Sequence, residues 1–236
     1  NNFILLNGKI LARAWNDIQS ILESHYQKEG DFFFFFFPYS RANQKIVQLI
    51  KGISEGAERI QKIVKSLKDF SRQDHGELNQ LVDVNAVVES AIVIVQNLIK
   101  KRTQNFSVHY GENIPKVMGN FQQLEQVVIN LLTNACQAIP EPHRGLKIST
   151  DYDSSRKKIL IKVIDEGEGI TPENMKHIMD PFFTTKRDAG GTGLGLSISY
   201  NIARNHGGDL HLHSVPGEGT TALLELPPHI PENENK

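Results

Sequence analysis

The stretch GGTGLGLSIS, Gly190–Ser199, sets four glycines within six positions and then runs into a pattern that reads as helix. Two familiar phosphate loops can be tested against it. A P-loop needs GxxxxGK followed by Ser or Thr, and no lysine follows these glycines at that spacing. The dinucleotide fingerprint GxGxxG also fails, because the spacing here is Gly191, Gly193, Gly195. What remains is a pliable segment feeding a helix start, where free backbone N–H groups and the positive end of the helix dipole favour an anion. Taken alone, a glycine-rich hinge reads nearly as well.

Other stretches narrow the choice. QVVINLLTNACQAI, residues 126–139, carries Asn130 and Asn134 four apart and hence on one helix face, while Val127, Leu131, Ala135 and Ala138 can face a core. Two amides stacked on an otherwise apolar helix are unusual. DEGEGI, Asp165–Ile170, follows an alternating run, so Asp165 stands at a strand end; Gly167 and Gly169 let the backbone turn sharply and approach a ligand. DPFFTTK, Asp180–Lys186, places two aromatics, the hydroxyls of Thr184 and Thr185, and Lys186 just before the glycines. PGEGTTALLEL, Pro216–Leu226, makes a tight turn and opens a strand at Thr220.

Around these lie the elements of a sandwich. LVDVN reads as a short strand, Val84 to Lys101 as a helix, Phe106 to Tyr110 as a strand and Gln122 to Ile139 as a helix. Lys147–Tyr152 and Lys158–Ile164 read as paired strands with DSSR as their turn. A last helix begins near Gly193, and strands at Leu210–His213 and Thr220–Leu226 close the chain. The expected fold is α+β: a helical hairpin, then an α/β sandwich of one mixed sheet with helices on one face.

The first third reads as that hairpin. Leu11, Trp15, Ile18 and Leu22 form one seam, and Ile46, Ile50, Ile53, Ala57, Ile60, Val64 and Leu67 alternate steps of four and three without a break. Leu49, Ile63 and Phe70 widen the second face beyond what one helix covers. Two such hairpins paired as a four-helix bundle would bury it, so a homodimer is expected; packing against the rest of the same chain is the alternative. Between the helices, Gly30, Asp31 and Pro38 mark a turn region that contains Phe32–Phe37. These phenylalanines either cap the bundle end, contact a partner or are simply buried, and they are an aggregation hazard if exposed.

Composition excludes other classes. With 39% hydrophobic and 22% charged residues and a net charge of −1, the chain has no overall basic excess for nucleic acid. Its single Cys136 forms no internal disulfide and sits in an apolar helical pattern, and no zinc spacing occurs. No apolar run approaches the ~18 residues of a membrane span. A cytoplasmic setting is expected, with a membrane anchor on a longer chain left open.

In order, the asparagine helix, DEGEGI, DPFFTTK and the opening glycine stretch resemble the N, first glycine, F and second glycine boxes of the histidine kinase catalytic domain, whose ATP-binding fold is shared with DNA gyrase. The hairpin resembles the family's dimerisation and histidine-phosphotransfer domain, so the resemblance covers nearly the whole chain. It implies ATP and Mg2+ as cofactors and a response-regulator receiver domain as partner. Asp165 would accept the exocyclic amine of adenine, with Gly167, Gly169 and Ile170 shaping that turn. Asn134 would offer its amide oxygen to Mg2+. Lys186, with Thr184, Thr185 and Thr220 nearby, and the amides of Gly191, Thr192, Gly193, Leu194, Gly195 and Leu196 would meet the phosphates in a mobile lid. Phe182 and Phe183 would anchor that lid by packing. Where the related ATPases carry a glutamate as general base, Asn130 cannot accept a proton, so hydrolysis should be slow and the terminal phosphate kept for a histidine.

One departure stands out. The family's phosphoacceptor lies in an H-E-x-x-N-P-like box, and none of the nine histidines has that context. NNFILLN resembles the continuation just after such a box, so the expected acceptor lies a few residues upstream of Asn1, in a longer protein, and this chain alone should not autophosphorylate there. The expected organisation is a dimerisation hairpin over 1–73, a linker over 74–83, an ATP-binding domain over 84–228 and a polar tail over 229–236. A serine kinase or ATPase of the same superfamily, or a non-catalytic dimerisation and nucleotide-sensing module, are the alternatives.

Overall fold

The computed structural model describes residues 2–34, 36–71, 78–186 and 191–230. Phe35, Gly190, positions 74–77 of the expected linker and positions 231–236 of the expected tail lie outside them, as do the side chains of Ile63, Leu67 and Phe70. The chain divides into two compact units, Asn1–Asp69 and Phe70–Lys236.

The first unit is an antiparallel hairpin of α1 (Asn2–Glu29) and α2 (Tyr39–Ser71). Gly8 faces Ser54 near the open end, and Tyr39 donates its hydroxyl to Glu23 at 3.2 Å near the closed end. Trp15, Ile50 and Ala57 are buried between the helices, whereas Leu11, Ile18, Ile53, Ile60 and Val64 of the same stripes are about half exposed. Leu11, Trp15, Ile18, Ile46, Leu49 and Ile53 line an apolar groove of about 300 Å³ on this face. One helix partner therefore leaves the stripe half covered, as its width requires.

The phenylalanine run is a connector, but not an irregular one. β1 (Phe33–Phe34) and β2 (Phe37–Pro38) pair antiparallel. Strand alternation divides the rings: Phe32 stacks on Tyr39 at 5.0 Å and Phe34 lies 5.9 Å from Trp15, while Phe33 and Phe36 are 81% and 92% exposed. Simple burial thus holds for part of the run only. Asp31 fixes the exit by accepting the Ser40 backbone N–H and hydroxyl, at 3.2 and 2.7 Å.

The second unit is built on a five-stranded mixed sheet. Its members are β4 (Asn105–His109), β6 (Gly145–Asp153), β7 (Lys158–Asp165), β8 (Asp209–Val215) and β9 (Gly219–Leu226), in the order β4-β6-β7-β9-β8. Only β4 and β6 run parallel. Burial alternates residue by residue along β7 and along β9 from Thr221 onward, so Ile159, Ile161, Val163, Leu224 and Leu226 point to one face. Against that face lie α3 (Val84–Arg102), α4 (Phe121–Ala138) and α6 (Gly195–Asn205), with α4 in contact with both other helices. Val87, Val88, Leu124, Val128 and Leu132 supply the helix side of the core. Each fully buried Leu, Ile or Val contributes about 1.5–3 kcal/mol relative to exposure. Asp83 and Asn120 cap α3 and α4 by accepting backbone N–H groups, which sets where each helix begins.

The short strand expected at LVDVN forms over its first two residues, and two further short elements, a strand and a one-turn helix, extend the expected pattern. β3 (Gln80–Val82) pairs antiparallel with β5 (Val117–Gly119), and α5 (Pro172–Met175) sits in the connection after β7. β3 falls within the expected linker 74–83 and is tied by this pairing to the segment that leads into α4. His229, at the start of the expected tail, donates its backbone N–H to Lys116 at 2.7 Å.

Candidate functional site

One cavity of about 370 Å³ opens beside α4. Its wall includes Asn130 and Asn134 from α4, Gly169 and Ile170 from the loop after β7, Thr184, Thr185 and Lys186 from the segment before the glycines, Gly191, Thr192, Gly193, Gly195 and Leu196 at the start of α6, and Thr220 on β9. The segments singled out in the sequence are far apart along the chain, and the sheet and α4 gather them. Asp165, Gly167 and Leu194 are not part of the wall. Leu194 is a core side chain, and Asp165 is 5% exposed at the end of β7.

Asp165 nevertheless adjoins the cavity. Its Oδ1 accepts the Gly167 N–H at 2.9 Å, and it pairs in register with the wall residue Thr220. A side chain at Gly167 would begin 2.5 Å from Asp165 Oδ1 and 2.7 Å from Ala138, another wall residue, so only glycine fits between them. Burial pushes the Asp165 carboxyl up to about 6, against the lowering effects of the Gly167 and Thr220 N–H groups and the charge of Lys186. Lys186 is pulled below its ordinary value by its own burial, which the charges of Asp165 and Glu168 oppose. A desolvated carboxyl and a desolvated ammonium beside one cavity are each primed for an opposite or hydrogen-bonding group on a ligand.

The two asparagines differ. Asn130 donates its amide to Gly195 O and Ser199 Oγ, both at 3.2 Å, and accepts from Gln126 at 3.0 Å. It ties α4 to the first turn of α6. Asn134 lines the cavity, and its side chain makes no hydrogen bond among the described residues. An amide oxygen held there is a hard donor suited to a cation such as Mg2+. Among the described residues no group of three His, Cys, Asp or Glu could hold a metal ion.

The glycine segment is held at its root. Gly191 donates to Lys186 O at 3.0 Å, and Phe182 donates to Gly193 O at 2.9 Å. Gly193 has φ +71°, and a Cβ there would fall 2.6 Å from the carbonyl oxygens of Phe182 and Phe183. The two phenylalanines thus differ: Phe183 lines the cavity, while Phe182 is half exposed at φ 68°. Among the described residues no side chain caps α6, which leaves its first-turn amides for an anion.

Sequence reasoning missed Gln126, Ser199, Glu168 and Asn174. Gln126, Asn130 and Asn134 recur every four residues, and that polar stripe was the available signal for Gln126. Glu168 and Asn174 come from a loop and a one-turn helix that have no periodicity to read.

Residues 119–230 match the family described as histidine kinase-, DNA gyrase B-, and HSP90-like ATPase. The chain therefore carries a catalytic domain of that ATPase class. Within it, the chain belongs with the sensor histidine kinases. It is 40% identical over 172 residues to the signal transduction histidine-protein kinase AtoS of Escherichia coli, covering 72% of this chain and 27% of AtoS. It is 34% identical over 201 residues to a putative sensor protein of Shewanella frigidimarina, covering 85% of this chain and 30% of that protein. The chain thus spans less than a third of the length of these two relatives. The solved catalytic domain of histidine kinase ThkA superposes with a TM-score of 0.55 at 28% identity, over 63% of this chain and 97% of that one. Among the described residues, no helix is long and apolar enough to cross a membrane.

Proposed function

We propose that this chain binds ATP with Mg2+ and transfers the terminal phosphate to a histidine, for relay to an aspartate of a response-regulator receiver domain. The observation that carries the reading is the convergence of Asn134, Lys186, Thr220 and the start of α6 on one cavity, with the buried Asp165 adjoining it. Asp165 accepts the amine of adenine and disfavours guanine, which presents a carbonyl there. Lys186 and the first-turn amides of α6 hold phosphate oxygens, and the glycines allow the lid to close and exclude water. Mg2+, when bound, offsets phosphate charge, and Asn134 would hold it. Asn130 spends its amide on Gly195 and Ser199 and has no proton-accepting group, so water is not activated and hydrolysis stays slow.

The hairpin over 1–73 serves as the dimerisation part and 84–228 as the nucleotide-binding part of this reading. A second copy is the natural occupant of the apolar groove on α1 and α2, because half of each stripe remains uncovered in one chain.

The phosphotransfer is tested by incubating the chain, extended upstream of Asn1 to include the family's histidine box, with γ-labelled ATP. Acid-labile, base-stable label that passes to a receiver domain is the expected result. Acid-stable label points instead to the serine kinase, and binding without label to the nucleotide-sensing module.

A further inference from the structure

His206 is a buried polar side chain with no place in the functional reading so far. It is 4% exposed at the C-terminal end of α6. Its Nε2 accepts the backbone N–H of Asn120 at 3.0 Å, and its Nδ1 meets the Ile202 carbonyl at 2.8 Å. An amide N–H only donates and a carbonyl only accepts, so these partners fix one tautomer: neutral, with the proton on Nδ1. Burial disfavours the charged ring in the same direction.

The partner matters as much as the ring. Asn120 is the N-cap of α4, the helix that carries Asn130 and Asn134. His206 therefore joins the beginning of α4 to the end of α6. Gly119, just before the cap, makes the approach possible: a Cβ there would lie 2.8 Å from Nε2 and closer still to Cδ2 of the ring. The other junction between these helices is the Asn130 amide on Gly195 and Ser199. The two junctions are separated by ten residues on α4, and on α6 His206 follows Ser199 by seven residues and Gly195 by eleven, roughly 10–16 Å at 1.5 Å per residue. Apolar packing of Ile198 and Ile202 holds α6 in the core without direction, so one hydrogen-bonded junction constrains its axial position less than two do. Two with matched spacing fix its axial position.

We propose that His206 is a positioning residue for the nucleotide site. By clasping the Asn120 amide it holds α6 in register on α4 and so keeps the last lid glycines and the first-turn amides opposite Asn130 and Asn134. The inference rests on the nucleotide reading for its functional consequence and on the two junctions for its geometry.

The test compares His206→Leu, which fills the space without an acceptor, with His206→Gln, whose side-chain oxygen can accept from Asn120. A third variant, Gly119→Ala, displaces the ring and leaves the histidine in place. Affinity for an ATP analogue with Mg2+ and amide exchange at Leu196–Ser199 are measured on each folded protein, well below its melting temperature. The expected result is about tenfold weaker binding and faster first-turn exchange in the Leu and Ala variants, with both restored by Gln. Binding within about twofold of the parent and unchanged exchange in Gly119→Ala and His206→Leu overturn the proposal, leaving His206 a structural brace. Should the Leu variant fail to fold, Gly119→Ala decides alone. A parent chain that binds no nucleotide sinks the functional reading, and the exchange measurement then decides the clasp by itself.

Discussion

Asp165 carries two demands that pull in opposite directions. Burial raises its carboxyl from 3.8 to about 6, so the folded protein holds a proton there more readily than the unfolded chain does. By linkage, stability attributable to this group is present at low pH and is lost as pH rises from about 4 through about 6. A ligand amine that donates to the carboxylate reverses the preference. Nucleotide affinity should therefore fall as pH drops below about 6, and binding near pH 6 should release a fraction of a proton, which calorimetry in two buffers of different ionisation enthalpy measures. Gly193 gives a second expectation. Gly193→Ala adds a Cβ against the Phe182 and Phe183 carbonyls at a φ of +71°. A cost of about 1–3 kcal/mol follows, read as roughly 5- to 150-fold weaker nucleotide binding with the fold retained. Both residues could be singled out in the sequence through the order of the boxes that contain them, since either stretch alone is a weak signal. His206 could not, since a histidine before two glycines gives no sign of what its ring will touch. Cys136 was read as core, and burial pushes its thiol up to about 11, where it is unreactive.

Periodicity marked the long elements well and the short ones poorly. α3 and α4 ended within about two residues of expectation because apolar spacing and the caps Asp83 and Asn120 agree. β3 was read at LVDVN, whereas β5 was not, because its three residues contain too little alternation to read, although Val117 is fully buried. The phenylalanine connector became a two-by-two hairpin, since alternation lets Phe32 and Phe34 pack while Phe33 and Phe36 face outward. Those two exposed rings should make the hairpin sticky. Replacing Phe33 and Phe36 with Ser should raise solubility and leave the helical circular dichroism unchanged, whereas loss of helicity would show that the rings support α1 and α2.

The molecule has two compact units, to which the proposed function gives separable tasks. Charge on the half-exposed stripe of the hairpin, as in Ile53→Glu with Ile60→Glu, should convert a dimer to a monomer in analytical ultracentrifugation and leave nucleotide affinity within about threefold. The order of the boxes made the catalytic fold readable from sequence, and the stripe did the same for the hairpin. What the spacing could not supply was the third dimension of the cavity: that Asp165 lies behind its wall, that Asn130 is engaged by α6 and that Asn134 is free among the described residues. On the proposed function, this one cavity recognises adenine through Asp165. Titration calorimetry with ATP and GTP, each with Mg2+, on the parent chain and on Asp165→Asn tests it most directly. The parent chain should bind ATP over GTP by at least about tenfold, and the variant should lose that preference. Equal binding of the two nucleotides by the parent, or an unchanged preference in Asp165→Asn, would contradict it.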